Sequence, residues 1–232
     1  MQLTLCFYAA LRERAGAPRL VCAGLPQGLS VAELKRELER RHPELGSLAH
    51  VRAVLDQRYV AEETPLRDGQ ELHLLPPVSG GQGQAPPGDR FLLSATPLDP
   101  AQWLAAVAEP GLGGQCLFVG SVRDSNRGRP VVRIDYEAFE AMAGPEMQRI
   151  FEECHQRFDP ERRPDRRLRL AVAHRIGAVE VGQPAVVVAA ASPHRDSAFA
   201  ACRFLIDTLK QRLPIWKHER YPDGSCWIGD RP

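Results

Sequence analysis

Apolar and polar positions follow helical and strand-like periods along this chain, and the longest helical stretch lies near its C-terminal end. There the apolar residues recur every three or four positions, which is typical of a helix buried along one side. These positions are Phe199, Cys202, Leu205, Ile206, Leu209 and Leu213. We expect Ser192 to cap this helix, Pro193 and Asp196 to lie in its first turn, and Pro214 to stop it.

Basic residues stand at both ends of this predicted helix. His194 and Arg195 open it, Lys210 lies near its close, and Lys217 follows beyond an Ile-Trp pair. A helix rises about 1.5 Å per residue, so His194 and Lys210 would stand roughly 24 Å apart, too far for one small-molecule pocket. Either a two-fold dimer joins the two ends into composite sites, or the helix is a capped core element with solvated charges.

The first 80 residues carry strand-like alternation around one amphipathic helix. We predict strands over residues 2–8, 19–23 and 71–75 and a helix over 30–41. Shorter strands flank a turn at Asp56-Gln57. This order favours a sheet curled over one helix, the β-grasp arrangement.

The β-grasp segment ends in Gly80-Gly81. Two residues without side chains can thread a narrow channel and leave the last carboxyl group accessible for activation. A flexible linker is the alternative reading of a Gly-Gly pair. Residues 82–89 contain no large apolar side chain and are predicted to form the linker between two domains.

Residues 90–232 alternate strands and helices, so the second domain is predicted to be a mixed structure. We expect strands over residues 90–95, 116–123, 131–139, 168–174 and 184–191, helices over 99–107 and 144–158, and a short edge strand over 225–228. Arg123 at a strand end is a candidate anion clamp, although a surface arginine is the ordinary alternative. His174 is interpreted as structural and left out of the site.

Composition excludes several function classes. The 232 residues are 44% hydrophobic and 25% charged, as in ordinary globular proteins, and the net charge of +1 does not favour nucleic acid or an anionic membrane. The basic run at 162–167 has no interleaved aromatic residues, so we interpret it as a solvated loop. No apolar run approaches about 18 residues, which indicates a cytoplasmic protein. The six cysteines are scattered without ligand spacing, so we expect neither a metal site nor a disulfide framework.

Two resemblances cover nearly the whole chain. Residues 1–81 resemble the ubiquitin-like small subunit of molybdopterin synthase (MoaD type), and residues 90–232 resemble its large, catalytic subunit (MoaE type). The second resemblance is carried by Val119-Gly120-Ser121-Val122-Arg123, Tyr136-Glu137-Ala138, Met142-Ala143, His174-Arg175-Ile176-Gly177, Ser192-Pro193-His194-Arg195, Leu209-Lys210, Pro214-Ile215-Trp216-Lys217-His218-Glu219 and Trp227. It implies an α+β protein: a β-grasp domain at 1–81, a linker at 82–89 and an α/β hammerhead catalytic domain at 90–232 that forms a central homodimer.

The resemblance also implies a sulfurtransferase acting on cyclic pyranopterin monophosphate (precursor Z), which gains the dithiolene sulfurs of molybdopterin. The implied carrier is a thiocarboxylate on Gly81, next to Gly80, and no other cofactor is expected. Lys217 and Lys210 are assigned to proton transfer, since a lysine crowded by cations has a lowered pKa. The implied substrate-binding residues are Arg123, His194, Arg195, His218, Glu219 and Arg231, with Glu219 orienting Lys217.

The fusion departs from the family pattern. The carbonyl of Gly81 is an amide to Gln82, and an amide cannot be adenylated as a free carboxylate can. We therefore expect a protease to cut after Gly81, and an adenylating enzyme and a sulfur donor to charge the new terminus. Two alternatives stay open: a non-catalytic binding module, and a regulator that blocks the site with its own uncut tail.

Overall fold

The computed structural model describes residues 1–76, 88–162 and 167–228. The chain divides into two compact units, Met1–Pro77 and Val78–Pro232. Gly80, Gly81, Arg231, nearly all of the predicted linker and most of the basic run at 162–167 lie outside the described residues, so those interpretations stay predictions. No helix within the described ranges combines the length and apolar character needed to cross a membrane.

The N-terminal unit is a five-stranded sheet with one long helix on its apolar face. Its strand order is β2-β1-β5-β3-β4, with β1 and β5 parallel and the other neighbours antiparallel. This is the predicted β-grasp arrangement. The elements are β1 Leu3–Phe7, α1 Ala9–Ala15, β2 Arg19–Cys22, α2 Val31–Arg41, a 3₁₀ turn Pro43–Leu45, β3 Arg52–Leu55, β4 Arg58–Val60 and β5 Glu71–Leu75.

Local signals explain why α2 was predicted well and α1 was missed. Ser30 and Glu33 form a capping box at the start of α2, and Leu34 and Leu38 are fully buried. The helix α1 has only seven residues and no side-chain hydrogen bond at its cap, Tyr8. Its sequence therefore carries little helical signal of its own.

The C-terminal unit contains two four-stranded sheets. Their strand orders are β6-β11-β13-β7 and β12-β10-β14-β15. Together with the flanking helices they form the predicted α/β hammerhead. The elements are β6 Arg90–Ser94, α3 Pro100–Val107, β7 Gly114–Ser121, β8 Ser125–Asn126, β9 Arg129–Pro130, β10 Arg133–Ala138, α4 Glu140–Phe158, β11 Arg169–Arg175, β12 Gly177–Glu180, β13 Pro184–Ser192, α5 Arg195–Arg212, β14 Ile215–Arg220 and β15 Cys226–Ile228.

The first of these sheets is covered on both faces. Helices α4 and α5 pack on one face, where Phe151 and Leu205 meet Val188 of β13. Helix α3 covers the other face, where Val107 meets Ala189. This explains the continuous apolar run of β13, because a strand buried on both faces needs apolar residues at every position.

Helix α5 begins two residues later than predicted. His194 is its N-cap residue, while the Ser192 hydroxyl donates to the His194 carbonyl and accepts from the His194 amide. Phe199 was predicted to face inward, and this was wrong, because the residue is 58% exposed. The buried stripe of the helix consists of Ala198, Ala201, Cys202, Leu205, Ile206 and Leu209.

Candidate active site

A cavity of about 170 Å³ lies at the C-terminal end of α5. Its walls come from the end of β7 and the following loop, from β10 and β14 of the second sheet, from the start of β13, and from the ends of β11 and α5. The ionisable residues of this wall that the structure describes are Arg123, Tyr136, His174, Lys210, Lys217 and Glu219. Three basic side chains therefore surround one carboxylate, which suits an anionic ligand.

Strand pairing explains how β10 and β14 supply neighbouring side chains. Tyr136 lies directly opposite Lys217, and Ile134 lies opposite Glu219. Residues at alternate positions of a strand share one face. Lys217 and Glu219 consequently point into the cavity together, while His218 between them points to the other face.

Glu219 is the most connected group in the site. It is 2% exposed, and its carboxylate accepts hydrogen bonds from Asn126 Nδ2 at 2.9 and 3.0 Å and from the Tyr221 hydroxyl at 3.1 Å. Lys217 Nζ donates to Glu219 Oε1 at 3.1 Å. Burial alone would raise the pKa of Glu219, but the hydrogen bonds from Asn126 and Lys217 outweigh it and hold the pKa below its ordinary value.

Lys217 is held between a carboxylate and an aromatic ring. Its Nζ lies 5.3 Å from the centre of the Trp227 ring, in addition to its bond with Glu219. Two such contacts fix the position of a side chain that is otherwise mobile. The orienting role of Glu219 stays a prediction, and this hydrogen bond is the contact through which it would act.

His174 belongs to the cavity wall, whereas its sequence context predicted a structural role outside the site. Its Nδ1 donates to the Arg175 carbonyl at 2.7 Å, and its ring meets Tyr136 edge-on at 5.0 Å. Burial lowers the pKa of His174 to about 4, with a further contribution from the charge of Lys210. Burial likewise raises the pKa of Tyr136 to about 12, and the Glu219 charge adds to this. Both rings are therefore neutral near pH 7.

The remaining predicted residues are not brought into this cavity. His218 lies on the opposite face of β14, with its Nε2 3.6 Å from a Glu137 carboxylate oxygen. His194 lines a second cavity of about 410 Å³ at the N-terminal end of α5. Arg195 is exposed beside it and lies 3.8 Å from Asp196. Within one chain, α5 keeps His194 and Arg195 apart from Lys210 and Lys217, as its length predicts.

Gly114 positions the start of α5. A Cβ atom at this residue would lie 2.6 Å from the backbone nitrogen of Arg195 and 2.8 Å from the carbonyl carbon of His194. Only glycine allows β7 to approach the helix this closely. The position of His194 and Arg195 therefore depends on a residue without a side chain.

Comparisons with known proteins agree with this architecture. The MoaE protein family matches residues 93–212, and the ThiS family matches residues 6–81. Molybdopterin synthase catalytic subunit 1 of Mycobacterium tuberculosis is 43% identical over 140 residues, which cover 60% of this chain and 90% of that protein. Molybdopterin synthase catalytic subunit of Bacillus subtilis is 36% identical over 143 residues, covering 62% and 87%.

A solved structure gives the same result for the fold. The crystal structure of molybdopterin synthase from Staphylococcus aureus superposes with a TM-score of 0.54 at 26% identity, covering 59% of this chain and 94% of that one. The MoaE match alone spans more than half of the 232 residues. The chain therefore belongs to the MoaE protein family and carries a ThiS-family domain ahead of its MoaE part.

Proposed function

We propose that this chain is a molybdopterin synthase whose sulfur-carrier and catalytic parts are joined in one polypeptide. It transfers sulfur from a thiocarboxylate on Gly81 to cyclic pyranopterin monophosphate and so forms the dithiolene of molybdopterin. The main support for this proposal is that a ThiS-family match precedes a MoaE-family match in one chain. The cation-lined cavity in the MoaE part supports it independently.

The charges of the cavity fit a phosphate-bearing substrate. Arg123 offers a forked set of donors for phosphate oxygens, and Lys210 adds a compact charge at the end of α5. The neutral rings of Tyr136 and His174 provide a wall for the pterin without adding charge. Binding of this substrate needs no metal ion.

Lys217 and Lys210 carry out the proton transfers in this proposal. Two thiocarboxylated carriers each deliver one sulfur atom. The first sulfur attacks a carbon that bears the cyclic phosphate and displaces a phosphate oxygen, so the cyclic phosphate opens, and the second displaces an oxygen that leaves as water. Water then cleaves each acyl–sulfur bond and leaves a Gly81 carboxylate on each carrier. Each step moves a proton to or from an oxygen or sulfur atom. Lys217 is the better placed of the two lysines, because Glu219 and Trp227 fix its Nζ in the wall.

A second copy of the chain completes the site. Ligand pockets usually enclose about 300–1,000 Å³, whereas the cavity of one chain encloses about 170 Å³. We infer a two-fold homodimer through the C-terminal unit, in which His194 and Arg195 of each copy extend the cavity of the other. This arrangement uses both ends of α5.

Sulfur can be loaded onto Gly81 only after the fused chain is cut, and we place this step in the cytoplasm. A protease would free the Gly81 carboxylate, and an adenylating enzyme with a sulfur donor would convert it to the thiocarboxylate. Intact-mass analysis of protein from native cells tests this step. One uncut species in an active extract would contradict it.

Reconstitution tests the activity itself. Thiocarboxylated residues 1–81 are mixed with residues 90–232 and precursor Z, and dithiolene formation is measured. We expect conversion with this mixture and none when residues 1–81 carry an ordinary carboxylate. Failure of the sulfurated mixture, with both parts folded by circular dichroism, would overturn the proposal.

A further inference from the structure

We propose that the N-terminal unit contains a binding site for a divalent metal ion of the zinc type, formed by Cys6, Glu71 and His73. Their ligand atoms all lie within 4.8 Å of one another. Among the residues that the structure describes, no other group of three or more cysteine, histidine and acidic side chains is this close. This inference does not depend on the proposed sulfur transfer.

The parallel pairing of β1 and β5 brings the three residues together. Cys6 lies beside His73 in the register, and Glu71 precedes His73 by two positions on the same strand. Their neighbours Leu5 and Leu72 are fully buried in the core under the sheet. The three candidate ligands therefore share the opposite face of the sheet.

The sequence did not reveal this cluster, and we expected no metal site from it. Cys6 and His73 are separated by more than 60 residues, so no ligand spacing is visible in the chain. Only the fold places them side by side.

One pair of donor atoms already has the spacing of a tetrahedral site. Zinc–nitrogen and zinc–oxygen bonds of about 2.0–2.1 Å place neighbouring donor atoms about 3.4 Å apart. His73 Nε2 and Glu71 Oε1 already lie 3.4 Å apart. Cys6 Sγ has to approach by about an ångström or less to complete three corners, and water supplies the fourth.

Two outer partners fix the orientation of the ligands. The Tyr8 hydroxyl lies 2.9 Å from His73 Nδ1, so Nε2 is the ring nitrogen that faces Glu71. Arg19 Nη2 lies 3.2 Å from Glu71 Oε2 and 3.3 Å from Oε1. A metal ion on Oε1 leaves Oε2 for Arg19. Such second partners of ligating imidazoles and carboxylates are usual in metal sites.

The ligand set selects the kind of ion. Thiolate and imidazole favour zinc and its cobalt substitute over magnesium or calcium, which prefer oxygen donors. Cys6 binds as the thiolate and releases its proton to solvent. The Glu71 carboxylate and the Cys6 thiolate together balance the charge of a divalent ion.

Cobalt titration of the metal-free full-length chain tests the site. We expect one Co²⁺ per chain, an intense near-ultraviolet band from thiolate coordination, visible bands of a tetrahedral centre, and displacement by Zn²⁺. Cys6→Ser should abolish the thiolate band, and His73→Gln should weaken binding at least about 100-fold. Tyr8→Phe, which removes only an outer hydroxyl, should weaken it by about 10- to 100-fold.

Two control variants separate this site from adventitious binding. His42 and Glu44 form an exposed histidine–carboxylate pair at 3.0 Å, so His42→Gln removes a similar pair elsewhere in the unit. Cys226 is an exposed thiol of the other unit, and Cys226→Ser removes it. Both controls should bind Co²⁺ unchanged. The proposal is overturned if the chain binds no stoichiometric Co²⁺ or if either control variant abolishes binding. It is also overturned if Cys6→Ser and His73→Gln bind Co²⁺ as well as the parent chain while circular dichroism shows that both are folded.

Discussion

Replacing Glu219 by glutamine removes the charge at the centre of the cavity wall while keeping the shape of the side chain. The carboxylate accepts from Asn126, Lys217 and Tyr221, and it is 2% exposed. The amide that replaces this carboxylate can accept with one oxygen only, and its nitrogen then faces other donors. The four hydrogen bonds that the charged group accepts from these three donors are thus reduced to neutral or mismatched contacts.

The size of the effect follows from these contacts. A hydrogen bond to a charged group contributes about 1.5–3 kcal/mol, and a neutral one about 1 kcal/mol. The contributions are not additive within one network. We therefore expect Glu219→Gln to lower the free energy of unfolding of the C-terminal unit by about 2–3 kcal/mol at pH 7.

Tryptophan fluorescence during urea unfolding isolates this unit. The three tryptophans of the chain, Trp103, Trp216 and Trp227, all lie in it. With a slope of about 2 kcal/mol per molar urea, the midpoint should fall by about 1–1.5 M. Glu153→Gln is the matched control, because Glu153 pairs with Arg212 at 2.6 Å at the surface. Such a surface pair contributes about 0–1 kcal/mol.

The pH dependence provides a second readout. The pKa of Glu219 is lowered in the folded chain, so the unfolded chain binds the proton more readily and the stabilisation is present at neutral pH. The difference between the parent and Glu219→Gln should hold from pH 7 to about 5 and narrow as the pH falls below about 4.5. Two results would refute a stabilising role of the buried Glu219 charge. One is that Glu219→Gln destabilises the unit no more than Glu153→Gln does, and the other is that the stability difference between the parent and Glu219→Gln does not change with pH.

Three further outcomes are expected. Lys217→Ala should lower the rate of sulfur incorporation by about 10²- to 10⁴-fold, as the loss of a proton-transfer group does. The control Arg203→Ala, on the exposed face of α5, should leave this rate unchanged, and equal rates for the two variants would exclude a catalytic role for Lys217. Gly114→Ala should destabilise the C-terminal unit by about 1–3 kcal/mol in urea unfolding, because the added methyl group would clash with the backbone of His194 and Arg195. The control Gln115→Ala should leave the stability unchanged, and equal midpoints of the two variants would contradict the close approach of β7 to the start of α5. The pKa of His174 is lowered to about 4, so the folded chain resists protonation of this ring and loses up to about 3 kcal/mol of stability as the pH falls from about 6.5 to 4. His174→Gln should flatten this dependence of the free energy of unfolding on pH. An unchanged dependence would show that the ring titrates normally.

Periodic burial made much of the fold predictable. The helix α2 and the strand β13 each bury a regular set of apolar positions, so their sequences show the pattern that their packing requires. The sequence does not predict the strand β14, because one face of the strand lines the cavity and the other face is also buried. Lys217, His218 and Glu219 follow one another there, and no apolar alternation remains.

The site was only partly predictable, because its contacts connect distant parts of the chain. Lys217 and Glu219 are two positions apart, and their link followed from a motif. Asn126 donates to Glu219 across 93 residues, and nothing in its loop sequence indicates that role. His174 stands at a strand end that the sequence could not assign to the cavity.

The alternation along β14 also limits which length changes this protein can tolerate. Adding or deleting one residue between Ile215 and Lys217 would shift the pairing with β10 by one position. His218 would then occupy the cavity wall, and Lys217 and Glu219 would move to the back of the sheet. Gene variants with single-codon insertions or deletions in this segment should therefore be far more damaging than most replacements of one side chain by another.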